Sequence, residues 1–419
     1  MIISDNLRRV ADLDLPGGGQ ILVEGNYAYI GHMKPPYGTT ILDVSDPRKP
    51  LVASQLMMEL PESHSHKVRV AGDIMITNVE RERRNFFRRG DRLPALRETL
   101  AKKRGRPATA AELATELQVA PDDIAVLDAA RIRGYTAGGF KVWDISNRAA
   151  PREIAYVRTF GNGTHRFDMD GTYAYISTEM EGYLGNILVI YDIRNPARPA
   201  EVSRWWLPGQ HIAGGETPTW RGAQHRLHHA LRVGNEMWAA VWNAGFRVVD
   251  VTDIRAPRTV AAHNYHPPEL EPTHTILPMP PRADNRRIAI GIDEEHAYRR
   301  GRGHAKLWIF DVTDFRDIRA LAYYHPEESH SPWGDKGRFG AHQFQEHFED
   351  TRVFAAWFAG GLRIIETADP TNPTEIGYYV PDPKPGCQLP QSNDVDVDRR
   401  GLVYLLDRQR GLEILEFDG

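Results

Sequence analysis

The chain has 419 residues, of which 41% are hydrophobic and 26% charged, and its formal net charge is -4. This is ordinary globular composition, long enough for a large core, and it gives no general pull toward nucleic acid or an anionic membrane. A single cysteine, Cys387, excludes an intrachain disulfide and a cysteine-based zinc site.

The opening stretch, MIISDNLRRVADLDLPGGG, has no basic segment followed by an apolar one, so no signal peptide is expected. No apolar run approaches the ~20 residues that span a bilayer. The expected location is cytoplasmic. Within this stretch LRRVADLDL reads as an isolated strand.

From Gly18 onward one phrase recurs: a β-branched and aromatic run, then Asp-Val/Ile-Ser/Thr, then a turn that usually ends in proline. It appears as TTILDVSDPRKP, FKVWDISNRAAP, ILVIYDIRNPARP, FRVVDVTDIRAP, KLWIFDVTDFRDI and LRIIETADPTNP, with a last partial copy, LEILEFDG. Seven repeats start near Gly18, His64, Gly163, Gln224, Pro272, Gly340 and Leu389. Apolar residues alternate inside each repeat and turn residues bound each run, which predicts short antiparallel strands. Three to four strands in roughly 40 residues match a propeller blade. The predicted fold is all-β: a single seven-bladed β-propeller over 1–419. The isolated first strand is expected to complete the last blade.

These phrases resemble the repeat of the LVIVD-repeat proteins, which is taken to form β-propeller blades. The resemblance covers nearly the whole chain and implies a fold, since propellers host many unrelated activities.

One insertion, 81–138, interrupts the second repeat. RERRNFFRRGDRLPALRETLAKKRGR holds eleven Lys and Arg against three acidic residues. PATAAELATELQVAPDDIAVLDAARI follows with helical periodicity, and Thr109 with Glu112 forms a capping box. The pattern resembles the helix-turn-helix of bacterial sigma factors, which implies DNA binding. No second nucleic-acid signal accompanies it. The expectation is a helical, basic excursion acting as a lid or a homodimer contact, with no nucleic-acid partner.

Histidines stand at the start of the first strand in several repeats. His66, His165 and His228 each fall six residues before a glycine: Gly72, Gly171 and Gly234. His274 and His342 hold the matching place in the fifth and sixth repeats. The first repeat has glycine near Gly19, and the last has Asn393 and Asp394. First strands line a propeller's channel, so these positions form a ring. Clustered imidazolium ions repel one another, whereas neutral imidazoles suit a divalent metal. His66, His165, His228, His274 and His342 are the ligand candidates, one more than a four-histidine site needs. Glu80, Glu179, Asp293 and Glu294 stand where they can accept from the far ring nitrogens. His229, His225, Glu179 and Asp168 are candidate acids or bases. Tyr183, Trp220, Arg221, Trp333 and Phe339, with Phe86 and Arg338, are expected to wall an apolar substrate pocket.

The layout is similar to the carotenoid cleavage oxygenases, propellers in which four histidines hold iron(II) and glutamates support them. It is also similar to the selenium-binding proteins, which lean partly on cysteine, a role for which Cys387 is poorly placed. The expected function is a mononuclear metalloenzyme, with Fe(II) and O2 oxidising or cleaving a moderate-sized aromatic or alkene substrate. A redox-neutral metal-dependent hydrolase or lyase is the alternative, Zn, Mn or Cu are the other candidate metals, and a non-catalytic scaffold for protein partners is the third reading.

Overall fold

The computed structural model describes residues 1–221, 224–296, 301–327, 331–334 and 336–419. Strands dominate, and they run as successive antiparallel meanders. The first comprises Gly18–Glu24, Tyr27–His32, Tyr37–Asp43 and Leu51–Met57. Later meanders begin with Val68–Ala71, Thr164–Met169, His225–Val233, Thr273–Pro278, Ala341–Phe344 and Ser392–Val397. Two of them join into one eight-stranded sheet through the single pair Trp242–Thr273. The first strands contact one another in chain order, and the last contacts Gly18–Glu24, so the contacts close into a ring.

The recurring phrase has a local cause. Its aspartate ends the third strand of a meander and accepts the backbone N–H two residues on, as Asp43 does from Ser45 (2.9 Å) and Asp250 from Thr252 (2.9 Å). Such an Asx turn reverses the chain without help from the ladder. The backbone bonds also hold the carboxyls of Asp144 and Asp250 at about 2.

The isolated first strand behaves as expected. Leu7–Asp14 pairs antiparallel with Gly411–Phe417, from Leu7 opposite Phe417 to Asp14 opposite Gly411. The core lies between neighbouring meanders. Leu42 and Val44, for example, pack with Tyr404, Leu406 and Ile414, across the seam between the two ends of the chain.

Four helices lie between Ile74–Arg81 and Gly139–Asp144: α1 (Arg84–Phe87), α2 (Leu93–Arg104), α3 (Ala110–Leu117) and α4 (Asp123–Arg133). The Thr109–Glu112 capping box opens α3. Leu93, Leu100, Leu113, Leu117, Ile124 and Leu127 form a small core of their own. Ion pairs tie the group to the strands: Arg84 to Glu80, Arg88 to Glu179 and Arg133 to Glu62. Among the described residues, no helix is long and apolar enough to cross a membrane.

Candidate metal centre

The candidate ligands arrive by a repeated irregularity. The pairing between first and second strands slips between Thr164 and Arg166, Thr273 and Thr275, and Ala341 and Gln343. His165, His274 and His342 are the residues left without a partner. A β-bulge of this kind re-aims a side chain. The same slip occurs around Gly19 and Asn393, and a longer one spans His228. His66 occupies the gap between Ser63–His64 and Val68–Ala71. The first repeat carries glycine because His66 packs over it: a Cβ on Gly19 would lie 2.7 Å from the His66 Cβ.

The histidines converge on one cavity of about 210 Å³, together with His64, His296, Glu80 and Glu294. Ring centroids follow one another at 4.2 Å (His64–His66), 5.3 Å (His66–His165), 4.8 Å (His165–His228), 4.2 Å (His228–His274) and 4.4 Å (His274–His342). Burial, ahead of nearby cations, pushes His66, His165 and His274 well below the ordinary imidazole value, and burial does the same to His228 and His342. The rings are neutral at pH 7.

A neutral imidazole has one N–H and one lone pair, and the partners decide which nitrogen carries which. His228 Nδ1 donates to the His274 carbonyl at 2.8 Å. His342 Nδ1 donates to the Asn393 carbonyl. His274 Nδ1 lies 2.9 Å from Thr275 Oγ1 and 3.0 Å from Gln343 Oε1, whose amide nitrogen is committed to Glu346. His165 Nδ1 donates to Glu80 Oε2 at 3.0 Å, and the Arg84 guanidinium donates to its Nε2 at 3.3 Å. All four rings therefore present an Nε2 lone pair. In two of them the lone pairs face each other, with Nε2 of His165 and Nε2 of His228 3.0 Å apart.

His66 differs. Asn78 Nδ2 donates to its Nδ1 at 3.2 Å, while Asn78 Oδ1 accepts from the Lys67 backbone and so fixes the amide. The proton of His66 is then on Nε2, which lies 3.8 Å from Glu80. By donor geometry two groups span distances suited to one cation, with all donor atoms within 4.8 Å: His228, His274 and Glu294, and His64, His66 and Glu80.

The carboxylates divide. Glu80 meets His64 (3.2 Å), His165 (3.0 Å) and Arg84. Burial raises Glu294, but His296, His342 and Arg338 outweigh it and hold the carboxyl well below its usual range. Glu179 was expected beside the histidines. It instead binds Arg88 and accepts the Asn162 N–H at 2.8 Å, so it anchors the helical segment. Asp293 is likewise elsewhere: Tyr265 and Trp308 both donate to it at 2.7 Å, and burial pushes it up to about 7. It ends the strand Ile288–Asp293, and Glu294 is the first residue beyond it.

The expected acids, bases and pocket walls also lie off the cavity. Asp168 is three residues down its strand from His165 and lines a different cavity, at the opposite end of the first strands. His229 faces Glu346 and Arg166 in the interior. His225 stacks on Trp220 at 4.5 Å. Tyr183 stacks on His211, Arg221 is exposed, Trp333 lies beside Lys336, and Phe339 is core. Loop aromatics packed on one another instead of walling the site.

Several residues at the cavity were not anticipated. His64 could have been read from SHSH, since residues two apart share a strand face. Trp242 stacks on His228 at 5.0 Å with φ of 59°, a conformation rare outside glycine. Lys67 and Arg408 also line the cavity.

A family model described as the LVIVD repeat matches residues 18–57 and 168–205. The chain carries LVIVD repeats. No curated protein matches it. Among solved structures, a chain of the crystal structure of the mitotic checkpoint complex matches at 5% identity, covering 98% of this chain and 93% of that one with a TM-score of 0.55. The computationally designed Ika8 protein matches at 8% identity over 98% and 99% of the two chains, with a TM-score of 0.49. The first of these likenesses concerns the fold alone. The LVIVD repeats, like their sequence phrase, belong with propeller architecture, and the all-β sheets agree with that.

Proposed function

We propose that this protein is a metal-dependent enzyme built on a seven-bladed propeller, with a divalent ion held by Nε2 of His165, His228, His274 and His342. The observation that carries the proposal is the pair of lone pairs 3.0 Å apart at His165 and His228. Nε2 of His165 has the Arg84 guanidinium at 3.3 Å as its donor, whereas Nε2 of His228 has no donor among the described residues, which leaves a desolvation cost of about 1–3 kcal/mol there. One ion removes it. Cis donors at metal–nitrogen bonds of ~2.1 Å stand about 3 Å apart. Glu294 is within reach of the same ion.

An imidazole-rich set with a nearby carboxylate suits iron(II), zinc, manganese or copper. When bound, such an ion activates O2 in the iron case, or polarises a substrate oxygen or a bound water in the redox-neutral case. We favour iron and oxygen chemistry, because the set contains His228, His274 and Glu294, whose donor atoms lie within 4.8 Å of one another, and two histidines with one carboxylate are the core of the non-haem iron pattern. The chain's own part is orientation. Glu80, gripped by Arg84, takes the His165 Nδ1 proton and fixes that ring. The carbonyls of His274 and Asn393 fix His228 and His342. Trp242 shields one face of His228 from water. The helices carry Arg84 and act as the lid.

Elemental analysis of the purified protein tests this, beside a His165→Ala, His274→Ala double variant checked for folding by circular dichroism. The expected result is about one equivalent of a single divalent metal, lost in the folded variant. A wild-type protein that holds no metal, and takes none up under anaerobic reconstitution, would overturn the proposal and favour a non-catalytic scaffold.

A further inference from the structure

The cavity that holds the histidines is unlike the apolar pocket expected for an aromatic or alkene substrate. Its lining has five cationic side chains, Lys67, Arg81, Arg83, Arg84 and Arg408, against two carboxylates, Glu80 and Glu294. Both carboxylates are already taken. Glu80 pairs with Arg84, and Glu294 pairs with Arg338 at 2.7 Å. Arg81 pairs with Glu62 outside the cavity.

Among the described residues, two cations keep hydrogen-bonding capacity to spare. The Lys67 side chain is buried, and among the described residues its one hydrogen bond is to the Gly19 carbonyl at 3.1 Å. Two of its three protons are unused. Arg408 donates from Nε to Asn393 Oδ1, and its Nη2 stops 3.9 Å from Glu294, beyond hydrogen-bond reach. Among the described residues its terminal N–H groups make no hydrogen bond, only the longer ion pair with Glu294 and a contact with the Phe358 ring at 5.1 Å, so they can turn to a planar oxyanion. Asp394 and Glu294 act on Lys67 and Glu294 on Arg408, but none of them forms a hydrogen bond with either cation, and a metal dication in the same cavity adds to the imbalance. Water does not neutralise it. An anion does. The volume of about 210 Å³ is also below that of ordinary sites for drug-sized ligands.

We infer that the ligand of this cavity is a small organic anion, carrying a carboxylate or a phosphate that Lys67 and Arg408 grip beside the histidines. The inference rests on the metal reading of the same cavity for part of its charge imbalance. Lys67 supplies a point charge and Arg408 a fork, so the oxyanion is held at one end while the rest of the molecule faces the imidazole ring.

Calorimetric titration of the protein as purified tests this, with succinate, inorganic phosphate and the neutral butane-1,4-diol as probes. Wild type, Lys67→Met and Arg408→Gln are compared, each with its folding and metal content measured on the same sample. Succinate or phosphate is expected to bind wild type, with the diol silent, and to weaken about tenfold or more in either variant at unchanged metal content. Which of the two anions binds tells a carboxylate site from a phosphate site. Binding of the diol as tightly as succinate, no binding of either anion, or anion binding unchanged in both variants would overturn the inference. If the samples hold no metal, the metal reading falls, and the anion titration still decides this inference separately.

Discussion

The inner strands have two ends, and the two cavities there differ in kind. At the histidine end the cavity is about 210 Å³, and neutral rings point lone pairs at one another. At the opposite end the cavity is about 770 Å³, and its charged groups mostly pair with one another. There Arg69 pairs with Glu346, Asp168 accepts the Arg232 N–H at 2.9 Å, and Arg232 reaches Asp170 at 2.9 Å. The larger cavity is the less informative one. Unmet hydrogen-bonding capacity marks a place made for something else, whereas closed ion pairs mark a finished structure.

Protonation separates the two ends most strongly. Burial depresses the five imidazoles of the histidine end, so their contribution to stability is present above about pH 6.5 and is lost as pH falls below it. Burial raises Asp168, so its contribution has the opposite sign and is lost as pH rises through its folded value. Metal-free protein should therefore lose unfolding free energy from pH 7 to pH 5. The slope should be about 1.4 kcal/mol per pH unit for each imidazole that only the unfolded chain protonates. Chemical denaturation across that range measures it. Asp168→Asn should leave the loss intact or slightly steeper, and a flat profile would show that the rings are not buried and neutral.

Packing gives a smaller contrast. Gly19→Ala drives a Cβ against His66 and should cost about 1–3 kcal/mol in the same assay. Gly234→Ala, at the opposite end, meets no atom within 4 Å and should cost about 1 kcal/mol through its φ of 60° alone. Equal costs would remove the claim that His66 dictates the glycine. The subtlest test concerns orientation. Glu80→Gln should weaken metal binding about 10–100-fold by loosening His165, while Asp170→Asn, which weakens the pairing with Arg232 at the opposite end, should not change it. Competition with a metal chelator reads both.

Much of this was legible in the sequence. The strand–Asp–turn phrase is local physics repeated, so the meanders and the pairing of Leu7–Asp14 with the last one followed from pattern. The histidines were visible because equivalent positions recur at equal distance from the same turn. What stayed hidden is non-local. The bulge that ejects His165 depends on pairing with the neighbouring strand. Which nitrogen carries the proton depends on Asn78, Glu80 and two carbonyls distant in sequence. Glu179 aligns with Glu80 by sequence, yet Arg88 claims it. Loop aromatics carry no periodicity, so nothing fixed their direction, and the cationic lining was assembled from three separate places in the chain.

The pairing of Leu7–Asp14 with Gly411–Phe417 has a consequence for biosynthesis. These partners are separated by almost the entire chain. As the chain leaves the ribosome, the strand Leu7–Asp14 emerges long before its partner Gly411–Phe417 and stays unpaired with it until that partner is free. The middle meanders can fold locally while that strand waits, an exposed edge open to mispairing with another nascent chain. The last step of folding is then a single long-range capture, and a chaperone that shields the leading residues until release would speed the yield of closed molecules more than the rate of any one sheet.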